Sequence, residues 1–118
     1  MKLVALLAAV LSLLLGAAAQ AQILGALADS PISRFSAADN RLLLAAIDKA
    51  LADNADGAEL AWKSDDSPAR GSVTPQRSFE SNGAACRDVL IATEYRARRA
   101  QSVHTFCRDN AGAWKLRS

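Results

Sequence analysis

The chain changes its hydrophobic rhythm twice. Residues Leu3 to Gly16 form an almost unbroken apolar run of Leu, Ala and Val. From Ala37 the pattern becomes helical: Leu43, Ile47, Ala50, Leu51 and Asn54 recur at intervals of three and four, all but the last apolar. Arg41, Asp48, Lys49 and Asp53 fall on the opposite side, as a half-buried helix requires. After Gly57 the period shortens to two. Leu60 and Trp62 point one way while Glu59, Ala61 and Lys63 point the other.

These rhythms predict one helix and then strands. Ser36-Ala37-Ala38-Asp39 reads as a capping box, so the helix starts at Ala37, and Gly57 is its natural stop. Asp65-Asp66-Ser67-Pro68 turns the chain into a strand at Arg70 to Thr74, where Pro75 confines it to an edge or an ending. Phe79 precedes a turn at Ser81-Asn82-Gly83. Two longer strands follow, Ala85 to Tyr95 and Arg98 to Arg108, and Asp109 to Gly112 turns into a last one at Ala113 to Leu116. The segment Gln22 to Arg34 reads as a short helix or a strap over the core, ended by Pro31. The expected fold class is α+β: one N-terminal amphipathic helix packed on a four- to five-stranded antiparallel meander, with one disulfide.

The apolar opening is a secretory signal peptide. Lys2 supplies the positive start, and small residues at Ala17 to Ala19 and Ala21 supply the cleavage site. Cleavage after Ala21 is preferred over Ala19. The expected organisation is a signal peptide at 1–21, a strap or linker at 22–35, and an α+β domain at 36–118. The expected location is the periplasm or cell envelope, without a transmembrane span after the leader is removed. A domain of about 100 residues remains, small enough that a covalent staple matters.

Cys86 and Cys107 can supply that staple. They are the only two cysteines, and in an oxidising compartment they have one possible pairing, worth roughly 3 kcal/mol on the chain-entropy model. Placing them directly opposite each other on adjacent antiparallel strands makes paired positions sum to 193. Leu90 then faces Val103, Glu94 faces Arg99, and Arg96-Ala97 is a two-residue turn. Type I′ geometry would require positive φ at both turn residues, which neither adopts cheaply.

The remaining chemistry is sparse. A formal net charge of +2 gives no reason to expect a nucleic-acid partner. Asp53 to Gly57 fails as a calcium loop, because aligning Gly57 with the loop glycine puts Ala52 at the first ligand position and Lys63 at the bidentate one. No metal, cofactor or catalytic residue is expected. His104, the only histidine, lies mid-strand opposite Val89 and reads as structural. Trp62 and Trp114 read as core rather than as a ligand platform. The one concentration of charge is Arg96, Arg98 and Arg99, the candidate binding residues, suited to an anionic envelope polymer or lipid headgroup.

Several of these pieces carry a family resemblance. They are Ser36 to Asp39, Gly57, Trp62, Gly71-Ser72-Val73-Thr74-Pro75, Gly83, Cys86-Arg87, Cys107-Arg108, and Gly112 with Trp114. In order and spacing the chain from Ser36 onward resembles the C-terminal domain of the rickettsial seventeen-kilodalton surface antigen family. Arg96-Ala97 stands where that family usually has glycines. The resemblance implies association with the outer membrane and no catalytic residues. The function expected is therefore a non-enzymatic exported envelope module that binds an envelope component or a protein partner. The alternative is a periplasmic inhibitor or accessory protein of a secreted enzyme.

Overall fold

The computed structural model describes residues 18–117. The apolar core of the expected signal peptide lies outside the described residues. A first helix, α1, occupies residues 18–26 and so spans both expected cleavage positions. Its side chains that reach the core, Ile23 and, in the turn that follows, Leu27, lie beyond both positions. Pro31 opens a short 3-10 helix, Pro31–Arg34, instead of ending the segment. The reason is local: proline lacks only an N–H that the first turn would leave unpaired, and Ser30 caps that turn by accepting from the Ile32 N–H.

The second helix, α2, spans Ala37–Asp53 and begins with the expected capping box. The Ser36 hydroxyl accepts from the Asp39 N–H at 3.1 Å, and the Asp39 carboxylate accepts from the Ser36 N–H at 2.9 Å. Leu43, Leu44, Ala46, Ile47, Ala50 and Leu51 are buried along one side. The other end departs from expectation. The helix stops before Gly57, at an extended Asn54, and its last carbonyls are taken by a side chain from the sheet, described below.

Five antiparallel strands follow in simple meander order: β1 (Leu60–Lys63), β2 (Ala69–Ser81), β3 (Ala84–Tyr95), β4 (Arg98–Arg108) and β5 (Trp114–Leu116). The register of β3 on β4 is the one the cysteines demand, from Cys86 opposite Cys107 to Tyr95 opposite Arg98. Pro75 neither ends nor edges its strand. It sits inside β2, and the register shifts between Pro75 and Arg77, so a bulge absorbs the residue that cannot donate. The Pro75 carbonyl accepts from the Gly57 N–H at 2.6 Å, tying the link after α2 to the sheet.

Alternation gives the sheet two unlike faces. Val73, Val89, Ile91 and Phe106 are buried with the α2 side chains and with Ile23, Leu27 and Ile32. Arg70, Arg99, Gln101 and Val103 have the opposite parity and are exposed. On the buried side Trp62 lies across the ladder from Gly71, where an added Cβ would collide with the Ala92 carbonyl and stand 2.9 Å from the indole nitrogen. Only glycine fits beneath that ring. Phe35 meets Trp62 edge-on at 5.7 Å and Tyr95 at 6.3 Å, closing the core at this end.

Candidate functional site

The β3–β4 hairpin resolves the conflict at its tip by asking for positive φ only once. Arg96 has φ 57° and Ala97 is not at positive φ, so the tip is not the type I′ turn, which needs it at both positions. Arg96 therefore sits in the left-handed region, which costs a non-glycine residue about 1 kcal/mol. The strained residue is one of the candidate binding residues.

The three expected arginines do not form one patch. Arg98 and Arg99 are consecutive in β4 and so project to opposite faces. Arg99 joins the exposed face, where its Nε lies 3.0 Å from Glu94; Arg70 reaches the same carboxylate at 2.7 and 3.1 Å. These hydrogen bonds and charges, that of Arg70 first, hold the Glu94 carboxyl below the usual glutamate range. Arg99 is thus occupied. Arg96 and Arg98 instead share a concavity of about 670 Å³ with Ser33, Arg34 and Tyr95. Arg34, Arg96 and Arg98 are exposed and form no ion pair among the described residues.

This notch exchanges one expected residue for another. Sequence reasoning included Arg99, which Glu94 neutralises, and missed Arg34, which the 3-10 helix brings against the hairpin. Nothing in the local sequence marks Arg34; only the packing of Ile32 and Phe35 into the core positions it. Three guanidiniums around one hollow give an unneutralised positive potential, suited to phosphate or carboxylate oxygens.

The cysteines form the expected disulfide, with Cα atoms 4.0 Å apart. Cys86 is buried, and there is no free thiol among the described residues. The arginine after it has a structural role. Arg87 is buried and donates to the carbonyls of Ala50 at 3.2 Å, Leu51 at 2.8 Å and Asn54 at 2.7 Å, and to Asp56 at 2.9 Å and Ser78 at 3.1 Å. It caps the C-terminus of α2, where orphan carbonyls and the helix dipole both favour a cation. Its hydrogen bond and that of Ser78 hold Asp56 below the ordinary aspartate range.

His104 pairs with Val89 as expected, and Ser102 Oγ lies 2.7 Å from its Nε2. Burial lowers its pKa. No carboxylate among the described residues is hydrogen-bonded to the ring, so the Ser102–His104 contact lacks the third group that orients a catalytic histidine. Trp62 and Trp114 lie on opposite edge strands and cannot make one stacking platform. Among the described residues no cluster of His, Cys, Asp and Glu could hold a metal ion, and no helix is long and apolar enough to cross a membrane.

The helix end, the braced hairpin and Trp114 all lie within residues 49–115, which match the 17 kDa outer membrane surface antigen family. The chain belongs to this family. Membership places the chain in a family of outer membrane surface antigens and associates it with the envelope. No curated protein and no solved structure matches the chain. Of the notch, Arg96 and Arg98 fall within the matched region, and Arg34 lies before it.

Proposed function

We propose that this protein is an exported envelope module, released from its signal peptide after Ala21, that binds an anionic group of an envelope polymer or lipid headgroup in the notch of Arg34, Arg96 and Arg98. One observation carries the reading: three exposed arginines line one hollow, without an ion pair among the described residues. A solvated patch that serves only to discourage aggregation needs no concavity, and the left-handed Arg96 holds its side chain there at a conformational cost.

The test is retention of the oxidised protein on phosphatidylglycerol vesicles and on purified peptidoglycan at low salt. Replacing Arg34, Arg96 and Arg98 by Ser abolishes retention on the material that is bound, while Arg99→Ser leaves it. Salt weakens the binding, because exposed charges are screened over about 8 Å at physiological ionic strength. Equal retention of the triple variant and the native protein overturns the proposal.

A further inference from the structure

The free edge of β4 offers a second kind of recognition. The short β5 pairs only with Phe106 to Arg108, and the last bond on that side runs from the Arg117 N–H to the Thr105 carbonyl at 2.8 Å. The remainder of β4 pairs with no strand on this side among the described residues. Its phase follows from two facts. Cys86 and Cys107 form a close pair, which in an antiparallel ladder is the kind whose backbone groups point away from each other, and the Thr105 carbonyl points to Arg117. Odd-numbered residues of β4 therefore direct their backbone outward. Arg99, Gln101 and Val103 present three N–H and three C=O groups there, without a backbone partner among the described residues. All three residues are exposed, and Val103 retains 51% of its surface.

The surroundings leave room for a strand and say what charge it carries. Between the edge at Ala97 to Ala100 and the segment of residues 28–33 lies a concavity of about 610 Å³. Arg98 and Asp29 line it together with Arg99, whose charge Glu94 already meets. The notch arginines Arg34 and Arg96 adjoin it. A second copy of the chain is a poor occupant. The symmetric antiparallel register that uses all three outward residues sets Gln101 on its own counterpart and Thr105 of one copy beside Ala97 of the other. Arg117 of one copy would then approach the notch arginines of the other, placing like charges together.

We propose that β4 adds an extended segment of a partner protein to the sheet through the backbone of Arg99, Gln101 and Val103, with acidic side chains of that segment lying against Arg98. Backbone bonds give such pairing its affinity and the flanking side chains its selectivity. This goes beyond the notch, and it is separable from it, since the blocking substitution below leaves Arg34, Arg96 and Arg98 in place.

The probe is an amidated peptide of about eight residues, alternating Val and Thr and ending in two Glu, with a twin ending in two Lys. Hydrogen exchange of the oxidised full chain is followed residue by residue. The Glu peptide slows exchange at the Arg99, Gln101 and Val103 amides by about tenfold or more, and the Lys peptide does not. Gln101→Pro removes one outward N–H without touching the β3 ladder and abolishes the effect; Gln101→Thr retains it and controls for side-chain loss. No protection by the Glu peptide, equal protection by both peptides, or protection that persists in a folded Gln101→Pro variant overturns the proposal. Protection that appears without peptide and rises with protein concentration assigns the edge to a second copy and overturns it too.

Discussion

The Arg87 guanidinium lies 2.8 Å from the Leu51 carbonyl, so a residue of β3 finishes the helix that precedes the sheet by bonding to its last turn. The same side chain reaches Ala50 and Asn54. Replacing it by alanine strands these acceptors in a buried site. Arg87→Ala is expected to lose about 3 kcal/mol in urea unfolding of the oxidised protein. Arg87→Lys recovers only part of this, because a single ammonium lacks the planar fork that serves three carbonyls. Equal stability of the native protein and Arg87→Ala would show that the cap is not energetically significant.

Asp39 gives the stability a predictable acid limb. Burial raises its pKa, but hydrogen bonds from the Ser36 backbone, Ser67 and Ser36 side chains outweigh it, and the net shift is downward. The unfolded chain then binds a proton more readily than the native one, so stability is present above the ordinary aspartate value of about 3.9 and falls as pH drops through the lower native value. Asp39→Asn is less stable than the native protein at neutral pH, and the gap narrows in acid. Denaturant titrations at a series of pH values measure it; a gap independent of pH refutes the assignment.

Gly71 is predicted to be intolerant of the smallest substitution. A methyl group there meets the Ala92 carbonyl and the Trp62 indole. Gly71→Ala should cost about 2 kcal/mol or more and shift the near-ultraviolet spectrum of Trp62, whereas Gly25→Ala, with nothing within 4 Å and in a helix, should leave that spectrum unchanged and not lower stability. Thermal unfolding followed by near-ultraviolet circular dichroism compares the two.

Arg96 should separate stability from binding. Arg96→Gly removes the positive-φ penalty, so its folding stability equals or exceeds that of the native protein by up to about 1 kcal/mol. Its retention on the anionic material that the native protein binds should nonetheless weaken. Loss of both together would mean that Arg96 braces the turn and does not serve the notch.

The disulfide joins residues 21 apart in sequence. Replacing both cysteines by Ser is expected to cost roughly 3 kcal/mol while leaving the strand register, because the hairpin pairs through ten residues on each side. Urea unfolding of oxidised and doubly substituted protein gives the difference, and nuclear Overhauser contacts between Leu90 and Val103 report the register.

By itself the sequence determined what depends on neighbours along the chain. The capping box at Ser36 and Asp39 needs residues three apart, and the hairpin register follows from pairing two cysteines across one short loop. Family membership follows from the same local pieces in order. Only the tertiary structure decided what depends on residues distant in sequence. It continued β2 through Pro75, because a bulge removes the need for the missing N–H. It turned Arg87 from a neighbour of the staple into the cap of α2, a contact across more than thirty positions. It brought Arg70 from β2 onto the Glu94 carboxylate that the hairpin register already sets opposite Arg99, and brought Arg98 against Arg34 and Arg96. It brought Arg34 into the notch through the packing of Ile32 and Phe35, which no local pattern around Arg34 encodes. Local rules fix which elements form, but the side chains that meet at a surface are chosen by how the buried faces of those elements fit together.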